Sequence, residues 1–84
     1  MVISKLYITM WCKYWLKDNL YHRLNGPAID YTNKEKYWFQ NGRKHRLDGP
    51  AIVYADGRKE WYLNENRFNT QEQFERYIKL LPFQ

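Results

Sequence analysis

One motif occurs twice in the chain, first as His22-Arg23-Leu24-Asn25-Gly26-Pro27-Ala28-Ile29 and then, 23 residues later, as His45-Arg46-Leu47-Asp48-Gly49-Pro50-Ala51-Ile52. The same shift aligns Tyr14-Trp15 with Tyr37-Trp38. Of the 23 positions from 14 to 36, 11 are identical to their partners. Because self-similarity at a fixed period is the signature of a repeat architecture, we predict repeat units at about residues 1–19, 20–42 and 43–66.

Each unit is predicted to form a β-hairpin. In the third unit, Asp56-Gly57 lies between two runs of aromatic and β-branched residues, which is the pattern of a two-residue type I′ turn. Such a turn places Ile52 opposite Trp61, and alternation along the strands puts both on one face with Tyr54 and Leu63. The equivalent residues of the earlier units are Ile29, Tyr31 and Trp38, and Leu6, Ile8 and Trp15. We therefore expect Trp15, Trp38 and Trp61 to form successive layers of an interior core.

The segment that joins successive hairpins is rich in turn-forming residues. Gly26 and Gly49 are expected to use their freedom to adopt positive φ, and the prolines that follow them suit the first residue of a strand. His22 and His45 are expected to pack or hydrogen-bond within this linker. A proton shuttle or a metal site would need further ligands on one surface, and no such cluster is visible in the sequence.

The chain ends in a predicted helix at about residues 70–81. Thr70 and Gln73 have the spacing of a capping box, and apolar residues then follow at helical spacing: Phe74, Tyr77, Ile78 and Leu81. Such a helix would cover the last layer of an open repeat array. The predicted fold class is therefore mainly β: an antiparallel meander of about three stacked hairpins (about six strands), capped by one C-terminal α-helix, in a single domain of residues 1–84.

The composition favours a cytoplasmic protein that is not an enzyme. Cys12 is the only cysteine, which excludes an internal disulfide and a cysteine-based zinc site. The first residues lack the apolar segment of a signal peptide, and no run approaches the length of a membrane span. No nucleophile elbow, phosphate-binding glycine loop or zinc signature occurs, so neither catalysis nor a cofactor is expected. The net charge of +5 favours acidic partners.

The second repeat resembles a known family. Tyr37-Trp38-Phe39-Gln40-Asn41-Gly42-Arg43-Lys44-His45, followed by Tyr54-Ala55-Asp56-Gly57, is similar to the MORN repeat, a hairpin unit of the same 23-residue length. The linker differs, since MORN proteins carry His-Gly-x-Gly where this chain has His45-Arg46-Leu47-Asp48-Gly49-Pro50-Ala51. That variant is similar to a MORN-like repeat of tailed bacteriophages and large DNA viruses. The resemblance covers about residues 14–69 and implies a hairpin array.

The family resemblance also carries functional expectations. MORN arrays are interaction platforms, and some contact phosphoinositide headgroups. Small phage proteins of this size often act in host takeover or counter-defence. For this chain the resemblance implies a host protein as partner and the cytoplasm of the host cell as location.

Two sets of residues are candidate binding sites. The first is an aromatic sheet face, which remains open if the helix covers the tryptophans instead: Tyr14, Tyr37, Phe39 and Tyr62. The second is a set of basic loop residues that can contact either a partner protein or phosphates: Arg23, Arg43, Lys44 and Arg46. The sequence leaves open which face the helix covers and which of these ligands the basic loops contact.

We therefore hold two functional hypotheses. The leading one is a non-enzymatic protein-binding module, such as a phage-encoded inhibitor that occludes a host defence protein. The alternative is binding of a nucleotide or nucleic acid, with the basic loops on phosphates and an aromatic ring on a base, which includes a nucleotide sponge. The unprotected strand edge of the first hairpin also suggests a homodimer.

Overall fold

The computed structural model describes residues 3–82, and the predicted domain and first repeat unit extend beyond them. Within this range the chain forms ten strands in antiparallel sheets and one C-terminal helix, which confirms the predicted fold class. The strands are β1 (Lys5–Ile8), β2 (Cys12–Lys17), β3 (Leu20–Tyr21), β4 (Ile29–Tyr31), β5 (Lys36–Tyr37), β6 (Phe39–Gln40), β7 (Arg43–Lys44), β8 (Ile52–Val53), β9 (Lys59–Leu63) and β10 (Asn66–Phe68), and the helix is α1 (Gln71–Lys79).

The first and third repeats each contribute a three-stranded meander, and the second contributes four strands because its middle strand is interrupted at Trp38 into β5 and β6. β6 pairs with β7 in a separate two-stranded sheet, and the total therefore exceeds the predicted six. The additional strands β3, β7 and β10 follow tight turns at Asp18-Asn19, Asn41-Gly42 and Asn64-Glu65. All six turn residues have positive φ, between 48° and 79°, as a two-residue type I′ turn requires. The type I′ turns therefore precede the last strand of each repeat.

The turn at Asp56-Gly57 is one residue longer than predicted. The Tyr54 N–H donates to the Arg58 carbonyl at 2.8 Å, which leaves three residues in the loop, and Gly57 has a φ of 92°. This is the geometry of a type I turn followed by a left-handed residue. It pairs Ile52 with Glu60 and Val53 with Lys59. The predicted pairing of Ile52 with Trp61 is wrong, because a one-residue change of register moves every side chain to the other face.

The sheet consequently has two distinct faces. One register row runs across it through Tyr7, Tyr14, Ile29, Tyr37, Ile52 and Glu60. We call the side that bears this row the tyrosine face. Trp15, Trp38 and Trp61 directly follow Tyr14, Tyr37 and Glu60 in the chain, so alternation places them on the opposite side, the tryptophan face. In the first hairpin, Leu6 is paired with Trp15 as predicted.

The tryptophans do not form the predicted interior core. All three are only half-buried, and the buried residues are Ala28, Ile29, Ala51, Ile52, Leu63 and Phe74, together with His22. The described residues form a body only 16 Å in its shortest dimension. A sheet this thin has a second layer only where the helix lies, so each indole keeps part of its surface in contact with solvent.

The helix covers the tryptophan face of the third repeat. The Thr70 side chain accepts a hydrogen bond from the Gln73 N–H at 3.1 Å, which confirms the predicted N-cap. Phe74 is buried, and its ring lies 5.6 Å from that of Phe68, the register partner of Trp61. The question left open by the sequence is thereby answered, and within residues 3–82 the helix leaves the tyrosine face uncovered.

Candidate functional site

The repeated motif folds into a clamp around a tryptophan. The Arg46 guanidinium carbon lies 3.9 Å from the centroid of the Trp38 ring. The same guanidinium donates to the Asp48 carboxylate at 2.9 Å and to the Pro50 carbonyl at 3.1 Å. The clamp recurs one repeat earlier, where Arg23 lies 3.8 Å from the Trp15 ring centroid. Because the guanidinium is held by an aromatic face and two acceptors, this arginine has a fixed place in the fold.

The glycines of the motif are required by close packing. A Cβ atom built on Gly49 would lie 2.8 Å from the Arg46 guanidinium carbon, and one on Gly26 would lie equally close to that of Arg23. The glycines with positive φ are instead Gly42 and Gly57. The prediction of positive φ at Gly26 and Gly49 is therefore wrong. The absent side chain makes room for an arginine stacked on the preceding tryptophan.

The histidines join each linker to the following turn. His22 Nδ1 accepts a hydrogen bond from the Asn41 N–H at 2.9 Å, and His45 Nδ1 accepts one from the Asn64 N–H at 3.0 Å. Burial lowers the pKa of both imidazoles, and the charge of Lys17 adds to the effect at His22. The acceptor role requires the neutral imidazole. The two linker histidines therefore form the expected hydrogen bonds, although their partners lie in the following turns and not in the linker. Residues 3–82 contain no cluster of three or more potential metal ligands.

A continuous series of aromatic contacts crosses the tyrosine face. Tyr7 stacks on Tyr14 with ring centroids 5.2 Å apart, Tyr14 meets the edge of Tyr21 at 6.0 Å, and Tyr21 lies 5.4 Å from Phe39. Tyr7 and Tyr21 are the most open members, with 37% and 39% of their surface exposed. Tyr21 is absent from the predicted site because it lies beside the repeated motif, and only the short strand β3 brings it onto this face.

Charged groups surround the aromatic residues at the other end of the tyrosine face. Lys44 lies 4.7 Å above the Tyr62 ring and 3.0 Å from the Glu65 carboxylate. The Tyr62 hydroxyl donates to Glu60 at 3.0 Å. The pKa of Tyr62 is raised, mainly by burial and to a smaller extent by this bond. The pKa of Tyr37 is raised in the same way, to about 12, mainly by burial and secondly by the neighbouring Glu35. Tyr37 and Tyr62 are therefore neutral near pH 7.

The predicted aromatic residues share one face of the structure, whereas the predicted basic residues do not. Tyr14, Tyr37, Phe39 and Tyr62 are all half-buried and lie along the tyrosine face. Arg23 and Arg46 are held in the clamps of the tryptophan face. Arg43 is exposed and is paired with Gln40, which lines a pocket together with Trp38. Lys44 lies on the tyrosine face. The four basic residues are thus divided between two sides of the sheet.

No helix among residues 3–82 has both the length and the apolar character needed to cross a membrane. The chain matches no protein-family model, and its comparison with curated proteins and with solved structures gave no significant similarity.

Proposed function

We propose that this chain is a protein-binding module whose tyrosine face contacts the partner. The observation that carries the proposal is the position of the helix, which packs on the tryptophan face and leaves the aromatic series uncovered. Aromatic residues are enriched in protein interfaces, and tyrosine is a frequent hot spot within them. Residues 7, 14, 21 and 39 offer such side chains on a rigid sheet, where little conformational entropy is lost on binding.

The positive charge of this chain indicates what kind of surface the partner presents. The chain carries a net charge of +5. Lys5 lies 5.7 Å above the Tyr7 ring at one end of the face. At the other end, Lys44 lies 3.0 Å from Glu65 and Arg67 lies 4.0 Å from Glu60, so the net charge and Lys5 support the inference. We infer a partner with an apolar patch bordered by acidic residues, because complementary charges steer encounter and suppress incorrect partners.

Binding of a nucleotide or nucleic acid is the less favoured alternative. Three of the four basic residues proposed for phosphate contact are engaged within the chain: Arg23 and Arg46 in the clamps and Lys44 with Glu65. A phosphate would have to compete with these contacts. Affinity that falls steeply with salt is the signature of phosphate neutralisation, and it distinguishes the two hypotheses.

We further propose that the chain belongs to the MORN-like repeat proteins of bacteriophages and acts in the host cytoplasm as an inhibitor that occludes a host defence protein. The support for this proposal is the resemblance of residues 14–69 to that repeat, whose arrays serve as interaction platforms. Tyr7 and Tyr21, the exposed members of the aromatic series, are compatible with occlusion.

Adjacent residues on opposite faces provide the test. A photo-crosslinking phenylalanine analogue placed at Tyr21 lies on the tyrosine face, whereas the same analogue at Leu20 lies on the tryptophan face. The two native side chains are similarly exposed, at 39% and 47%. In bacterial lysate treated with nuclease, we expect a discrete protein crosslink from position 21 that is absent from position 20. Equal crosslinking from both positions, or loss of the crosslink after nuclease treatment, would overturn the proposal.

A further inference from the structure

The first repeat lacks a neighbour that the other two possess. β4 pairs with β2, and β8 pairs with β5, so each of these opening strands has a strand of the preceding repeat on its outer side. β1 holds the equivalent place in the first repeat and is paired on one side with β2. Among residues 3–82 it is therefore a free edge of the sheet.

The free edge is apolar. Leu6 is 44% exposed, Ile8 is 69% exposed and the preceding Ile3 is 73% exposed. Monomeric proteins usually protect an edge with charges, bulges or a covering element, and here Lys5 is the only charge in β1. The other edge strand of the sheet, β10, differs, since its residues Asn66 and Arg67 are polar and exposed and α1 packs beside it. The two edges of the array are thus unlike, with an apolar exposed edge at β1 and a polar one at β10.

The backbone of β1 is oriented for pairing outward. The Trp15 N–H donates to the Ala28 carbonyl at 2.9 Å, and the Trp15 carbonyl accepts from the His22 N–H at 3.1 Å. Both backbone groups of Trp15 point away from β1, so the register pair of Leu6 and Trp15 is a non-hydrogen-bonded one. In an antiparallel ladder the N–H and C=O of Leu6 must then point outward, and those of Ile8 follow by alternation.

We propose that the occupant of this edge is a second copy of the chain, paired antiparallel through β1 with Leu6 opposite the partner's Leu6. Head-to-tail pairing of β1 with β10 would place the apolar Leu6 and Ile8 beside the polar Asn66 and Arg67. Two β1 edges instead match each other and can pair about a two-fold axis, which is the commonest symmetry of soluble oligomers.

The register agrees with the charges of the strand. With Leu6 on the axis, Lys5 lies opposite the partner's Tyr7, where its ammonium group has an aromatic face available. Lys5 already approaches the Tyr7 ring of its own chain at 5.7 Å. Like charges directly opposite each other would be destabilising, and this pairing places none there. An antiparallel two-fold axis runs perpendicular to the sheet, so both tyrosine faces lie on the same side of the joined sheet.

This inference is independent of the proposed function, and its test uses the purified chain alone. Sedimentation velocity over a concentration series should show the wild-type chain approaching twice its mass of 10.5 kDa. Leu6→Lys and Leu6→Glu each place like charges on the axis, so each variant alone should sediment as a monomer. A mixture of the two places opposite charges there and should restore the dimer.

The control is Leu20→Lys, which changes a leucine of similar exposure (47%) on β3 and should leave the dimer intact. Far-UV circular dichroism establishes that each variant is folded, and restored dimerisation of the mixture cannot arise from unfolded chains. A wild-type chain that remains monomeric throughout the series would overturn the proposal. A dimer of Leu6→Lys alone, or a mixture that stays monomeric, would do the same.

Discussion

The Arg46 guanidinium carbon lies 3.9 Å from the centroid of the Trp38 ring, and the same stack recurs 23 residues earlier between Arg23 and Trp15. In the third repeat the corresponding position is Asn69, and there α1 covers the tryptophan face instead. The arginine and the helix are therefore two solutions to one problem, the partial burial of a tryptophan on a single-layered sheet. Thus Arg23 and Arg46, which the sequence suggests as contacts for either a partner protein or phosphates, have a structural role within the chain.

The first prediction concerns the clamp. Arg46→Ala removes a stacked cation, two hydrogen bonds and the packed side-chain stem, and we expect it to destabilise the fold by about 1–3 kcal/mol. Arg46→Lys should recover little of this loss, because an ammonium group cannot reproduce the planar contact or the fixed donor geometry. Urea unfolding followed by tryptophan fluorescence measures both effects. The control is Arg43→Ala at an exposed position, where a change within about 0.5 kcal/mol is expected, and an equal loss at both positions would contradict the clamp.

The second prediction separates packing from backbone strain at Gly49. A Cβ at this position meets the Arg46 guanidinium at 2.8 Å, which is the movable end of a long side chain. We expect Gly49→Ala to destabilise the wild-type protein by displacing that group, and to be nearly neutral in an Arg46→Ala background. A double-mutant cycle of unfolding free energies reports the coupling directly. Equal destabilisation in both backgrounds would indicate backbone strain instead and would refute the packing explanation.

The repeats and their hairpin character could be predicted because they depend on local spacing, whereas the faces of the sheet depend on one residue of loop length. Asp56-Gly57 suits both a two-residue loop and the last two positions of a three-residue loop, and only the observed Tyr54 to Arg58 bond distinguishes them. Tyr14, Tyr37, Phe39 and Tyr62 nevertheless share a face in either register, because each is adjacent in the chain to a tryptophan and adjacent strand residues point to opposite sides. The sequence alone could not predict that Arg46 would turn back onto Trp38, since that contact is tertiary.

The third prediction concerns the helix that covers the last repeat. Phe74 is 3% exposed and contacts Phe68, so Phe74→Ala should cost about 3–5 kcal/mol, the usual loss for a buried phenylalanine. That is a large share of the stability expected for a small domain, and the variant should show a markedly lower midpoint of thermal unfolding. Leu80→Ala, at a site 80% exposed, is the matched control and should be close to neutral. A mild effect at Phe74 would mean that the helix contributes little to the fold.

The last prediction is a loss of stability in mild acid. His22 and His45 accept backbone hydrogen bonds through Nδ1, and burial lowers their pKa from the ordinary value of 6.5. Below pH 6.5 the unfolded chain therefore binds more protons than the folded one at these sites, and linkage requires the unfolding free energy to decrease as the pH falls. Their contribution is fully present above pH 6.5 and is lost progressively below it. Urea unfolding between pH 7.5 and 5 measures the decrease, and NMR titration of the imidazole protons assigns it; pKa values at or above 6.5 in the folded protein would contradict the prediction.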